Sequence, residues 1–356
     1  MDCVVTCNHQ SNRPLLSVLM PVFNAEAYVG EAIESILGQS FRDFEFIIID
    51  DGSTDNSLSV LKRYAVQDAR IRLISRENRG LVATLNEGIA LARGEWIARM
   101  DADDVAMPNR FIVQLAALER ERVDFCGGAI QCFGALRSVC FYPLTHEACE
   151  VHLLFGVPFG HPTVIGRHSA FAELGYDPDY PYAEDYELWQ RAWGRGYKFV
   201  NVPEVVLRYR VHAGQVSARK KAEQQNTADA VRKRHWRALF PRMDDKEIDY
   251  IIKMLHDGKG ETSRLLPCLL SLVSHYSGEA RQVLLLDSYG AFRELAGSDR
   301  SAWRNWLTLK KQACSDAVEV KDVFRTAVLW GFSIFNITKG SIRYQLLQKI
   351  KSIVLK

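Results

Sequence analysis

None of the eight cysteines, at positions 3, 7, 126, 132, 140, 149, 268 and 314, is spaced from another as Cys-x-x-Cys. That excludes the common zinc-ribbon and thioredoxin-type signatures and leaves reduced thiols in a cytoplasmic setting as the expectation. No apolar run is long enough to cross a bilayer, which takes roughly 18 residues or more. The nearest approach is "TAVLWGFSIFNI", Thr326 to Ile337. The N-terminus has no basic segment followed by an apolar one, so no signal peptide is expected. Charge of one sign is also missing: the formal net charge is +2, which gives no overall case for nucleic acid as a partner. There is no internal repeat and no low-complexity tract.

What remains is an ordinary globular composition over 356 residues, 47% apolar and 25% charged, long enough for one large domain or two smaller ones. After a polar, flexible stretch over 1–14, strands and helices alternate. "LLSVLMPVFN" reads as a buried strand ending at Pro21, "EAYVGEAIESILGQS" as a helix, and "FEFIIID" as a second buried strand. "GSTDNSLSVLKRYA" is a helix with Ser53 or Thr54 as its cap. "IRLI" is a third strand, "GLVATLNEGIALARG" a helix closed by Gly94, and "EWIARM" a fourth strand. A further helix opens with Pro108 near its first position. Residues 123–142 are β-rich, and from about 220 onward the pattern is helical. Short links between alternating elements predict an α/β protein whose mainly parallel sheet is covered on both faces, with a helical C-terminal region. Three domains of sequence follow: 1–14, 15–218 and 219–356.

Ligands of such sheets bind beyond the carboxyl ends of the strands, and polar clusters fall there. "DADD", Asp101 to Asp104, follows the fourth strand directly. Paired carboxylates on a turn suit a hard divalent cation, Mg²⁺ or Mn²⁺. They also suit a solvated turn in which Asp101 or Asp104 caps the next helix. Asp51 in "IIIDDGSTD" can accept an imide N–H from a uracil or thymine ring, or close an Asp-Gly-Ser turn. Phe23 in "MPVFN" can stack on a nucleobase or fill the rim of the core. Glu184 and Asp185 open the helix "YAEDYELWQRAWGRG", where carboxylates are favoured by the helix dipole whatever their function. His212 in "RYRVHAGQVS" is a reasonable cation ligand or a surface-loop histidine.

Taken in order, "LSVLMPVFNAEAYVGEAIESILGQSFRDFEFIIIDDGSTDNS", "ENRGLVATLNEGIALARGEWIARMDADDVAMPNR" and "YAEDYELWQRA" resemble glycosyltransferase family 2, the GT-A fold of nucleotide-sugar enzymes, over about residues 15 to 215. The resemblance implies inverting transfer of a sugar from a nucleoside diphosphate, UDP or dTDP, to a hydroxyl of a glycan or lipid-linked acceptor. The setting it implies is bacterial surface polysaccharide or lipopolysaccharide biosynthesis. It makes Pro21, Phe23 and Asp51 the frame of the nucleobase, with Asn78, Arg79 and Asn86 on the donor side. Asp101 would contact the donor's ribose or sugar, Asp103 would be the main ligand of Mn²⁺ or Mg²⁺, and His212 would lie near that metal. Asp185 would be the catalytic base with Glu184 beside it, and His161 would face the acceptor. Relatives commonly carry Tyr where this chain has Phe23, which keeps the stacking face and loses a hydroxyl.

The tail "TAVLWGFSIFNITKGSIRYQLLQKIKSIVLK" puts Ile342, Leu346, Leu347, Ile350 and Ile353 broadly on one face with Arg343, Lys349, Lys351 and Lys356 nearby. This suits either a helix on an anionic membrane surface, making the enzyme peripheral on the inner face of the cytoplasmic membrane, or a helix packed on the protein. Two other functions compete. A sugar nucleotidyltransferase needs a Gly-rich, basic loop after the first strand, where this chain reads "PVFNAEAY". A catalytically silent carbohydrate-binding protein has no need of both the "DADD" and "ED" carboxylates.

Overall fold

The computed structural model describes residues 13–212, 220–313, 320–334 and 337. They form two units. The first comprises residues up to Tyr142, Phe159–Tyr180 and Glu187–Arg219; the second comprises Pro143–Pro158, Pro181–Tyr186 and the chain from Lys220 onward.

The first unit is built on a sheet. β1 (Leu16–Val22), β2 (Phe44–Asp51), β3 (Ile71–Arg76) and β4 (Trp96–Arg99) lie in the order β3-β2-β1-β4, all parallel. β2 is buried along its whole length, as a strand covered on both faces must be, so its apolar run continues without alternation. Helices α1 (Val29–Leu37), α2 (Ser57–Gln67) and α3 (Leu81–Leu91) make the crossovers. α1 shows why a helix forms there: Val29, Ala32, Ile33 and Ile36 recur at helical spacing and are all buried against the sheet.

Beyond β4 the sheet becomes mixed. β5 is Val105–Ala106, β6 Phe125–Gly134, β7 Ser138–Cys140, β8 Ile165–Arg167 and β9 Phe199–Val211. The order continues β4-β8-β6-β9-β5, with β7 paired to β6. β8 runs antiparallel to both β4 and β6, while β6 and β9 are parallel. α4 (Arg110–Glu121), α6 (His168–Leu174) and α7 (Glu184–Gly194) complete the set. α4 begins two residues after Pro108, with Asn109 at its N-cap. α2 takes Asn56 as N-cap in place of Ser53 or Thr54, and α3 ends at Leu91 with Ala92, not Gly94, as its C-cap. These offsets fall where end effects outweigh periodicity.

The second unit is helical: α5 (His146–His152), α8 (Lys221–Leu239), α9 (Asp245–Asp257), α10 (Thr262–His275), α11 (Gly278–Leu295), α12 (Ala302–Ala313) and α13 (Val320–Ile334). Its core gathers Trp236, Ile251, Leu269, Leu284, Phe292 and Trp306. The early segment belongs to it through specific bonds. Leu144 N and Thr145 N each donate to a Glu279 carboxylate oxygen at 2.8 Å, and Trp236 Nε1 donates to Leu154 O at 3.1 Å. No helix among the described residues is long and apolar enough to cross a membrane. The tail from residue 338 lies outside the described residues, as do 213–219.

Candidate active site

β4 stops at Arg99 and the chain turns sharply through "MDADD" before β5. The turn brings one carboxylate oxygen each of Asp101, Asp103 and Asp104 within 4.8 Å of one another. β9 braces it from the side: Arg210 N donates to Asp104 Oδ1 at 2.9 Å and Arg210 Nε donates to Asp103 O at 2.9 Å. The Arg210 guanidinium also pairs with Glu31 of α1 and lies 4.7 Å from the centre of the Tyr28 ring. At the end of β9, His212 Nε2 meets Asp103 Oδ2 at 3.0 Å.

Three like charges at this range cannot all be carried at ordinary cost. Burial first, then the charges of Asp101 and Asp103, push Asp104 up to about 9. Its Oδ2 is buried with no hydrogen-bond partner among the described residues. Burial also raises Asp101, against the opposing charge of Arg99. Arg99 Nη1 lies 2.5 Å from Asp101 Oδ2; that ion pair is close without being aligned as a hydrogen bond. Beneath them Arg110 is fully buried and pulled down to about 9 by burial and by Arg99. It holds the strand tip by donating to Arg99 O at 2.7 Å. The donor set is hard oxygen plus one imidazole, and one of its oxygens lacks a partner. It fits a divalent cation, for which Asp101, Asp103, Asp104 and His212 would be the holders.

The tip of β2 forms a second centre. Asp51 Oδ1 accepts Arg79 N at 2.8 Å and its Oδ2 accepts Gly80 N at 2.9 Å, while Arg76 pairs with Oδ1. Asp51 thus fixes the loop that carries the exposed Asn78 and Arg79. A carboxylate has about four acceptor positions, and these bonds take three. Gly52 next to it has φ +72°, and a Cβ there would lie 2.6 Å from Asn78 N. Only glycine lets the two loops approach this closely. At the tip of β1, Pro21 is half-buried and Phe23 stands 52% exposed. The Asn24 amide N–H donates to Ser53 Oγ at 3.0 Å, so the β1 and β2 tips are laced together.

Asn86 takes a different part. Its Nδ2 donates to Tyr176 O and its Oδ1 accepts Tyr176 N, both at 2.8 Å. Tyr176 Oη in turn meets His161 Nε2 at 2.8 Å. Burial, then Arg99, hold the His161 imidazole well below its ordinary pKa, so it is neutral at pH 7. Glu184 and Asp185 stand in the second unit, at the start of α7. Glu184 is buried; Asp185 is half-buried and its Oδ1 accepts Tyr186 N at 2.7 Å.

Sequence reasoning singled out the acids and missed their basic partners, Arg76, Arg99, Arg110 and Arg210. The alternation of Arg208, Arg210 and His212 along β9 was the available signal, since residues two apart in a strand share a face.

A parallel sheet with carboxylates at its strand tips, continued by a mixed half, is the architecture of the GT-A fold. The family model for glycosyl transferase family 2 matches residues 17–173. A glycosyltransferase of Haemophilus influenzae with no characterised activity is 36% identical over 238 residues, 62% of this chain and 73% of that protein. The O-antigen biosynthesis glycosyltransferase WbnJ of Escherichia coli is 31% identical over 205 residues, 56% of this chain and 80% of that protein. Among solved structures, S. aureus TarS 1-349 in complex with UDP-GlcNAc matches with a TM-score of 0.55 at 14% identity, over 89% of this chain and 90% of that one. The mannosyltransferase PcManGT from Pyrobaculum calidifontis, in complex with GDP-Man and Mn²⁺, matches with a TM-score of 0.50 at 15% identity, over 91% and 88%. The chain belongs to glycosyl transferase family 2.

Proposed function

We propose that this glycosyltransferase moves a hexosyl group from a UDP- or dTDP-sugar to a hydroxyl of a glycan or lipid-linked acceptor, with inversion, in the assembly of a bacterial surface polysaccharide. The observation that carries the reading is the cluster of Asp101, Asp103 and Asp104 at the β4 tip with His212 on Asp103. The complexes of TarS with UDP-GlcNAc and of PcManGT with GDP-Man and Mn²⁺ support a nucleotide-sugar donor and a divalent metal, and WbnJ supports the polysaccharide setting.

In this reading Phe23 stacks on the nucleobase, with Pro21 beside it. Asp51 offers its fourth acceptor position to the imide N–H while holding Asn78 and Arg79 towards the diphosphate. Asp101 meets the ribose or sugar hydroxyls. Asp103, with Asp101, Asp104 and His212, would hold Mn²⁺ or Mg²⁺, which would supply charge neutralisation for the diphosphate leaving group. Asn86 acts through Tyr176, and the neutral His161 can accept or donate one hydrogen bond on the acceptor side. Asp185, in the first turn of α7 where the helix dipole favours a carboxylate, is the base, and the buried Glu184 orients a sugar hydroxyl. Asp185 takes the acceptor hydroxyl proton, the oxygen bonds to C1, and the C1–O bond to the nucleoside diphosphate breaks. A single displacement inverts the anomeric centre. In this reading residues 15–218 form the catalytic domain and 219–356 a helical domain.

The test is a screen of UDP-, dTDP- and GDP-sugars with Mn²⁺, following nucleoside diphosphate release with and without acceptor extracts, on the wild type and on Asp185→Asn. The expected result is release with one donor base and a loss of about 100-fold or more in Asp185→Asn, as for removal of a general base, with donor affinity unchanged. Wild-type turnover in Asp185→Asn removes that residue from the base role.

A further inference from the structure

β6 runs beside β9 in register, with Phe133 opposite Arg210, the arginine that braces Asp103 and Asp104. Past Phe133 the chain leaves the core. Every residue from Gly134 through Phe141 is exposed, including Leu136 at 52%, Val139 at 43% and Phe141 at 70%. The pairing of Gln131 with Val139 and of Cys132 with Ser138 fixes which side chains share a face. Cys132 and Ile130 turn inward and are buried. Phe133, Val139 and Phe141 fall on the opposite, outer face, with Leu136 at the turn. The Phe133 ring is flanked by the guanidinium groups of Arg208 and Arg210, at 4.4 and 4.5 Å.

A face of this kind needs a cover. Apolar side chains concentrated on one projecting hairpin mark an interaction surface, whereas scattered ones do not. Its charge narrows the choice: no acidic residue occurs between Asp124 and Glu147, and the cations of the hairpin and of the strand beside it are Arg137, Arg208 and Arg210, the last of them paired with Glu31. β7 is three residues long, too short an edge to template a partner strand. Aromatic and aliphatic groups interleaved with arginines suit the boundary between lipid headgroups and acyl chains, where the apolar parts insert and the cations meet anionic headgroups.

We propose that the outer face of the β6–β7 hairpin docks on an anionic lipid bilayer. Because β6 and β9 are in register, docking there holds the Asp101–Asp104 turn close to the membrane plane, where a lipid-linked acceptor would be presented. This last step rests on the glycosyltransferase reading; the docking itself does not. The surface lies in the first unit.

The test is flotation of the full chain with vesicles of phosphatidylcholine alone or mixed with phosphatidylglycerol. It compares the wild type, Phe141→Ser, and the triple variant Leu136→Ser/Val139→Ser/Phe141→Ser. The substituted side chains are exposed, so thermal unfolding should be unchanged, and the single variant serves if the triple one is not. Wild-type protein should partition at least tenfold more onto anionic vesicles than onto neutral ones. The triple variant should lose at least tenfold of that partitioning, and Phe141→Ser an intermediate part, with donor hydrolysis in vesicle-free solution unaltered. Equal partitioning of variant and wild type, or a wild type that binds neither vesicle, overturns the proposal. So does a wild-type dimer in light scattering that the triple variant splits, since a second copy would then be the cover. Vesicle binding as expected with no donor hydrolysed leaves the docking intact and defeats the glycosyltransferase reading.

Discussion

The acids at the β4 tip are tolerable because arginines are threaded among them. Arg110 is the extreme case: a buried guanidinium that holds Arg99 O and Gln114 Oε1 while its charge faces Asp104. Removing one partner from such a set strands the others. Arg110→Ala is expected to cost about 2 kcal/mol or more in urea-denaturation experiments, the scale for leaving buried acceptors such as Arg99 O and Gln114 Oε1 without their donor. An unchanged denaturation midpoint would show that the tip does not depend on it. Gly52 makes the same point about backbone. Gly52→Ala should displace Asn78 and weaken nucleotide binding about tenfold, equivalent to about 1.4 kcal/mol of lost positioning, as read by calorimetric titration with UDP. The acids were legible in the sequence because runs such as "DADD" after an apolar strand are unusual. Of their arginines only Arg210 left a trace, in its alternation with Arg208 and His212; Arg76, Arg99 and Arg110 did not, since a lone arginine in a strand or helix carries no spacing signature.

Among the elements, the fully buried strands were the most legible. β1 and β2 read as strands because continuous apolar runs of that length, bounded by polar tips, fit a doubly covered sheet. The short strands β5 and β8 gave no such signal; they exist because β9 and β4 offer them open edges, a tertiary cause. α5 was hidden for a similar reason. The two residues before it bond to Glu279 of α11, and its own His152 pairs with Asp287 at 2.7 Å, contacts distant in sequence. At the other end of the same bundle, Asp299 accepts Thr262 N at 2.7 Å and Thr262 Oγ1 at 2.6 Å, fixing the start of α10. Asp299→Ala should destabilise the helical unit by about 1.5–3 kcal/mol, the range for hydrogen bonds to a charged group, as read by chemical denaturation. A change below the error of that measurement would contradict the anchoring role.

For the molecule as a whole, pH acts through a buried histidine. In the helical unit, burial pulls His235 down to about 4, whereas an unfolded chain titrates near 6.5. Between those values the unfolded chain binds a proton that the folded one refuses. The contribution of His235 is therefore full above about pH 6.5 and falls as pH drops towards 4, by at most about 1.4 kcal/mol per pH unit. Denaturation followed by tryptophan fluorescence should show that slope between about pH 5 and 6.5, and His235→Gln should flatten it. The overall architecture was readable as far as the alternating pattern ran. The return of residues 143–158 and 181–186 to the helical unit was not, because nothing local marks a chain that leaves one core for another and comes back. The account depends most on the carboxylate turn at β4 gripping a donor diphosphate through a divalent ion. Calorimetric titration of UDP into the wild type with Mn²⁺, the wild type with EDTA, and Asp103→Ala with Mn²⁺ tests this directly. Binding in the first case, weakened at least about tenfold in the other two, is the predicted result. Equal affinity in all three would contradict the account.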